Sequence, residues 1–271
     1  MVSSFLDAYA LLFSKRIFVK FNKFLFLLGC RGLGILNYKS PHMTGEEAFL
    51  SSFLKKYDHS GLVVVDVGAN SGQFASWVAR NTDHLKVISF EPNPVSARIY
   101  SESMKAFLGS GRLKLVGKGL SDKFGKSKIY DYPEQFRMGS QHSSMYEKVI
   151  TDIHSSERFT SYDIDLTTLD QELCDVGSKI CLLKIDVEGH ELGVLGGGCA
   201  LLSNSPPPAI LLEFNEMNVN SGVHFKDFLD KLGDCYLPFR LLPGGGLLPL
   251  DGQSPLYTEL YAFQNIVFLR R

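Results

Sequence analysis

The chain has 271 residues, enough to bury the core of a full α/β domain. Its apolar fraction of 45% and charged fraction of 21% are ordinary for a globular protein, and a net charge of −1 excludes the basic excess expected of a nucleic-acid partner. The five cysteines, Cys30, Cys174, Cys181, Cys199 and Cys235, form no CxxC pair; that argues against a zinc site or a disulfide framework and for reduced thiols in a cytoplasmic setting.

Residues 1–45 read as a mostly helical extension, and 46–271 as the main domain. The extension is apolar and aromatic as far as Leu28, but Lys15, Arg16, Lys20 and Lys23 interrupt it. No uncharged run approaches the ~20 residues that span a bilayer. The apolar run Phe24–Leu28 is shorter than the ~7–15 residues of a signal-peptide core. On a helical wheel Phe13, Ile17, Phe21, Phe24 and Leu28 share a face, with Arg16, Lys20, Lys23 and Leu27 beside it. Such a helix either lies on a membrane surface or a partner, or docks on the main domain or at a homodimer contact. Thr44 and Glu47 then resemble a capping box for a helix through Phe49, Phe53 and Leu54.

The stretch LVVVDVGANSG, Leu62–Gly72, comes next and organises the rest. Its β-branched run suits a strand buried on both faces, ending at Asp66. Phe74, Trp77 and Val78 then recur at helical spacing. A second strand, Lys86–Phe90, ends in Glu91; Pro92 and Pro94 close it and open a helix. Leu113–Val116 is a third strand, leading to Ser121 and Asp122. Lys123–Asp163 is a polar insertion, with a strand at Lys128–Tyr130 and an exposed loop at Met138–Ser144. A fourth strand, Ile180–Ile185, ends in Asp186, and Glu188–Leu202 reads as one helix. A fifth, Ile210–Leu212, ends in Glu213. After a helix at Phe225–Leu232, two strands near Tyr236–Leu242 and Tyr261–Leu269 finish the chain. Alternating strands and helices predict a parallel doubly wound sheet with an antiparallel edge.

In such a sheet the strand tips converge on one crevice. Asp66, Glu91, Asp186 and Glu213 therefore meet there. An acid after the second strand is placed to bind ribose hydroxyls. The loop DxGxxxG, with Asp66, Gly68 and Gly72, lacks the middle glycine of the dinucleotide fingerprint GxGxxG and begins with a carboxylate. That suits a ligand with an ammonium beside a sulfonium better than a pyrophosphate, and speaks against a nicotinamide-dependent oxidoreductase. A non-catalytic nucleoside-binding module would lack strand-tip acids that are all present here.

The blocks VVVDVGANSGQF (63–74), ISFEPNP (88–94), LSD (120–122), TTLDQEL (167–173), LLKIDVEGHELGVLGG (182–197) and ILLEFNE (210–216) resemble, in order, the FkbM family of S-adenosylmethionine-dependent methyltransferases. KIDVEGHE is the most specific of them. The resemblance implies a Rossmann-like class I methyltransferase fold: a mostly parallel seven-stranded sheet with a C-terminal antiparallel pair. It implies that Asp66, Gly68 and Asn70, with Ser71 and Gly72, face the methionine part of S-adenosylmethionine, Glu91 and Pro92 the ribose, and Leu120, Ser121 and Asp122 the adenine. It also implies O-methylation of a hydroxyl on a sugar, glycan or natural product.

Asp186 is the first candidate for general base, for orienting the acceptor, or for meeting the cofactor's ammonium. His190, four residues on, is the second base candidate. Lys184, inside a strand, is expected to pair with a carboxylate. Asp186, Glu213 and Asn215 offer oxygen ligands suited to Mg²⁺, although a Glu213–Lys184 pair would use one of them and no metal is expected. His142 in the insertion is a candidate to gate or touch substrate.

Overall fold

The valines of the first strand alternate between two cores. Val63, Val65 and Val67 join one apolar cluster with Leu183, Ile185, Leu212 and Phe214. Val64 joins another, with Leu182, Leu211 and Val267, on the opposite face. A strand buried on both faces belongs at the centre of a helix-covered sheet. The computed structural model of the chain describes residues 2–131, 143–146 and 160–271. Its strands, in chain order, are β1 (Val63–Val67), β2 (Lys86–Phe90), β3 (Leu113–Val116), β4 (Gly119–Leu120), β5 (Gly125–Asp131), β6 (Thr160–Thr167), β7 (Ile180–Ile185), β8 (Ala209–Phe214), β9 (Tyr236–Leu241), β10 (Leu247–Pro249) and β11 (Gln264–Arg270).

The large sheet has the order β10-β9-β11-β8-β7-β1-β2-β3. Strands β3, β2, β1, β7 and β8 are parallel, and β11, β9 and β10 close one side antiparallel. This is a doubly wound, Rossmann-like sheet with an antiparallel edge. Strand order reverses between β1 and β7, so the ligand crevice opens at their carboxyl ends. The helices Glu46–Leu54 and Gln73–Asn81 cover one face through Phe49, Leu50, Ala75 and Val78. Val194, Leu195, Phe225 and Phe228 cover the other.

Several expectations are corrected. The sheet has eight strands, not seven; the extra one, β10, is short, half-buried and follows the glycine turn that hid it. The tips of β1 and β8 extend past Asp66 and Glu213, which lie inside their strands. The insertion carries a second sheet, β4-β6-β5, in which β6 pairs with β5 along its whole length. Strand β6 (TSYDIDLT) reads as polar because one of its faces is open to solvent. The stretch from Glu188 is not one helix. Glu188 and Gly189 take left-handed conformations, with φ of 53° and 100°, and two short helices follow, Glu191–Gly196 and Cys199–Asn204. Thr44 makes no capping box: Gly45 is the helix N-cap, and Thr44 Oγ1 accepts from the Glu46 amide at 3.3 Å. His142, and with it Met138–142 of the expected loop, lies outside the described residues.

The lead-in contains two helices, Val2–Phe13 and Val19–Gly32. Its far end is fastened to the sheet. Ile35 is buried, and the Leu36 amide donates to Phe263 O at 2.8 Å. Arg240 of β9, itself buried, donates to Gln264 Oε1 at 2.6 Å and to Leu33 O at 3.4 Å. Burial lowers the Arg240 guanidinium to about 10.

Candidate functional site

Side chains on a strand alternate between faces, so residues two apart share one. On β1, β7 and β8 the face that carries Val64, Leu182 and Leu211 also carries Asp66, Lys184 and Glu213. Asp66 and Lys184 are register partners on adjacent strands. The sequence thus sets an acid, a base and an acid side by side where the apolar pattern ends. Lys184 donates to Asp186 Oδ2 at 2.8 Å and stands 5.2 Å from the centre of the Phe74 ring. It is the expected ion pair, with Asp186 rather than Glu213 as its partner.

These residues line a cleft of about 670 Å³. Its walls hold seven carboxylates, among them Glu46, Asp66, Asp186, Glu188 and Glu213, and a single ammonium, Lys184. The electrostatics follow from that imbalance. Burial pushes the Asp66 carboxyl up to about 7; Lys184 pulls it down, and Asp186 and Glu46 push it further up. Neither Asp66 oxygen has a hydrogen-bond partner of ordinary geometry. Glu188 and Glu213 are raised well above the usual carboxylate range, first by burial and then by Asp186 and other neighbouring acids. Burial alone would lower the Lys184 ammonium, but Asp186, Glu46 and Asp66 outweigh it and raise it. The cleft therefore favours a cationic ligand.

A narrower slot of about 90 Å³ adjoins the cleft and shares Gly68, Asn70, Asp186 and Glu188 with it. Glu91, Pro92, Leu120, Ile129, Met145 and His190 are among its other walls. Polar groups here are paired. Glu91 accepts from the Asn70 amide at 2.7 Å and the Asn93 amide at 2.8 Å, one on each oxygen. Burial lifts its carboxyl to about 7 against the pull of those two amides. Each carboxylate oxygen has a second lone pair, so two adjacent hydroxyls can still be received. His190 Nε2 lies 2.9 Å from Ser121 Oγ, and Nδ1 lies 3.2 Å from Tyr146 Oη. Burial holds the imidazole below its ordinary value, with Asp122 pulling the other way.

The expected residues are mostly brought together. Gly68, Asn70 and Asp186 line both cavities; Asp66 and Ser71 line the cleft; Glu91, Pro92, Leu120 and His190 line the slot. A Cβ on Gly68 would stand 1.8 Å from the Asp186 carbonyl oxygen, so a glycine at φ +82° lets the end of β7 approach the loop. Ser121 does not line the slot; its hydroxyl lies 2.9 Å from Nε2 of His190, which does. Asp122 is exposed and accepts from Ser121 Oγ at 3.1 Å. Gly72 lines neither cavity: it is the N-cap of the helix Gln73–Asn81, packed against the Tyr100 ring. The oxygen set considered for Mg²⁺ is internally satisfied, since Glu213 accepts from Asn215 Nδ2 and Asp186 from Lys184. Among the described residues no group of three or more His, Cys, Asp or Glu side chains is placed to hold a metal ion.

The scan against family models matches residues 66–237 to the methyltransferase FkbM domain. The chain belongs to the FkbM methyltransferase family. It is 29% identical over 153 residues to methyltransferase sdnD of Sordaria araneosa, covering 49% of this chain and 59% of that protein. It is 27% identical over 224 residues to the 31-O-demethyl-FK506 methyltransferase FkbM of Streptomyces tacrolimicus, covering 74% of this chain and 79% of that one. It is 26% identical over 183 residues to the 2-O-methyltransferase NoeI of Sinorhizobium fredii, covering 63% and 69%. The chain spans little more than half the length of the first of these relatives.

Inside the KIDVEGHE block, two residues that shape the cavities escape a reading of the sequence. Glu188 reads there as a helix-start acid, yet its left-handed backbone aims it at both cavities. Glu191 falls inside the expected Glu188–Leu202 helix with no role of its own, yet it is buried and its Oε1 accepts from the Val187 amide at 3.2 Å and the Gly189 amide at 3.1 Å. It holds the turn that presents Glu188. Burial raises its carboxyl to about 7 despite those bonds. A glutamate followed by Gly and then a second acid was the only available signal.

Proposed function

We propose that this chain transfers the methyl group of S-adenosylmethionine to a hydroxyl of a small molecule or glycan. The observation that carries the reading is the buried Asp66 carboxylate, with no hydrogen-bond partner of ordinary geometry in an acidic cleft and next to a slot whose wall is Glu91. A cationic amino-acid moiety fits the first and a ribose the second. When bound, the cofactor supplies an activated methyl group on a positively charged sulfur.

The chain's own residues supply the rest. Asp66 and the loop Gly68–Ser71 hold the methionine part by charge and by close main-chain approach. Glu91 receives the ribose hydroxyls on the lone pairs its two amides leave open. Leu120, Ile129 and Met145 give the slot apolar walls for a flat base. Lys118 also lines the slot and is held back by Glu172 at 2.8 Å. Asp186 lies where cleft and slot meet, and its carboxylate orients the acceptor hydroxyl and takes its proton as the oxygen–methyl bond forms. Lys184 fixes that carboxylate. His190, engaged at both nitrogens and absent from the cleft wall, positions Ser121 rather than moving a proton. The 31-O and 2-O names of two relatives support an oxygen acceptor.

The test is a transfer assay with methyl-labelled S-adenosylmethionine and a panel of sugars, glycans and polyketides, beside calorimetric titration with NADH. Label appearing in an acceptor as a methyl ether, with no NADH binding, is the expected result. NADH binding without adenosyl-ligand binding would overturn the reading.

A further inference from the structure

The two lead-in helices take no part in the cavities, and they are not docked on the main domain. Phe5, Leu6, Leu11 and Leu12 on the first helix, Ile17 in the turn, and Phe24, Phe26 and Leu28 on the second are each more than half exposed. So large an uncovered apolar surface marks an interaction site. It is also a built one. The Phe13 ring sits 4.9 Å from that of Phe18 and 6.3 Å from that of Phe21, and Asn22 Nδ2 donates to Phe13 O at 3.0 Å. Only the last turn of the second helix is covered, at Cys30, and Ile35 just beyond it is buried.

Charge decides between occupants. Residues 1–33 hold Lys15, Arg16, Lys20, Lys23 and Arg31 against the single acid Asp7, in a chain whose net charge is −1. On the second helix Lys20, Lys23 and Arg31 share one arc, and Phe21, Phe24, Leu25 and Leu28 fill the next. A second copy would have to meet this patch with the same patch across a two-fold axis, setting like charges face to face. An anionic lipid surface meets both features: headgroups take the cations, and the acyl boundary takes the aromatic rings. Among the described residues no helix is long and apolar enough to cross a membrane, so the pair lies in the interface.

We propose that these helices form a platform resting on an anionic lipid surface, with Phe5, Leu12, Ile17, Phe24 and Leu28 in the acyl boundary and Lys15, Arg16, Lys20 and Lys23 among the headgroups. The chain that leaves the platform supplies Leu36 and Tyr38 to the wall of the large cleft. The platform thus brings the cleft's rim to the lipid surface. The assignment does not depend on the identity of the cofactor.

Co-sedimentation of the full chain with phosphatidylcholine vesicles, with and without phosphatidylglycerol, tests it, beside sedimentation velocity without lipid. The expected result is binding to the anionic vesicles that weakens with salt and is at least about tenfold lower on neutral ones. Each basic residue at such a surface is worth about fivefold in partition, so Lys20→Glu with Lys23→Glu lowers binding at least about 25-fold. Phe24→Ser with Leu28→Ser abolishes it, while the thermal midpoint of the folded domain stays unchanged. Equal binding to neutral and anionic vesicles, or binding to neither, overturns the proposal. So does a dimer that the Phe24→Ser and Leu28→Ser pair dissociates without any vesicle binding.

Discussion

The slot and the cleft sit side by side, share four residues, and are built on opposite principles. In the slot each polar anchor is already satisfied by the protein: Glu91 by two backbone amides, His190 by Ser121 and Tyr146. The insertion residues complete it, since Asn93 Nδ2 donates to Asp131 at 2.6 Å and Ser143 at 2.9 Å, and Ser144 Oγ donates to Glu188 O at 2.9 Å. In the cleft the acids outnumber the one cation, and neither Asp66 oxygen has a hydrogen-bond partner of ordinary geometry. Satisfied networks rigidify a site, whereas crowded buried charges store free energy that a complementary ligand releases. The slot is therefore a preformed mould, and the cleft is an unbalanced field that a cation completes.

Breaking the reaction at the boundary between the two gives the largest effect. Asp186→Asn keeps the shape and removes the proposed proton acceptor, so kcat should fall about 10²- to 10⁴-fold with little change in cofactor affinity. Steady-state kinetics with the best acceptor checks it. Glu91→Ala strikes the slot's mould. It leaves the Asn70 and Asn93 amides unpaired, and thermal unfolding should show a loss of about 2–3 kcal/mol together with weakened cofactor binding.

The cleft should respond with the opposite sign. Asp66 titrates near 7 in the folded chain and near its ordinary 3.8 when unfolded. The folded, ligand-free chain thus holds an extra proton between those values, and its stability falls as pH rises through that window. Asp66→Asn removes this share of the slope. The variant should match the parent below pH 4 and exceed it at pH 8 by about 2–4 kcal/mol, as read from denaturant curves at the two pH values. A parent whose stability rose steadily from pH 5 to pH 8 would remove the contrast between the two cavities. The smallest effect belongs to the mould's edge. Tyr146→Phe deletes the bond to His190 Nδ1 and should weaken cofactor binding only severalfold, worth about 1 kcal/mol.

Much of the site was legible because it follows from short-range pattern. The β-branched run ending near Asp66, the strand tips at Glu91 and Asp186, and the alternation that sets Lys184 among acids all depend on period-2 burial in a buried sheet. The strand bounds were off by one or two residues at β1 and β8 because an acid inside a strand reads as its end. What stayed hidden depends on distant partners. Strand β6 is polar on its own and becomes a strand by pairing with β5, across the insertion. Glu46 reaches the cleft from the helix that follows the lead-in, and no local pattern records that approach. The left-handed turn at Glu188 is imposed by Glu191, three residues on, through bonds to the backbone of Val187 and Gly189. The exposed faces of the lead-in helices were readable as amphipathic, but whether the main domain covered them was a question of tertiary packing.

The most direct measurement is calorimetric titration of the wild-type chain and Asp66→Asn with S-adenosylmethionine, S-adenosylhomocysteine and NADH. A hydrogen bond to a charged group contributes about 1.5–3 kcal/mol. Both adenosyl ligands should therefore bind the wild type, NADH should not, and the folded variant should bind them about 10- to 100-fold more weakly. Equal affinity in the two proteins, or binding of NADH alone, would contradict the assignment of Asp66 as the anchor of a cationic cofactor.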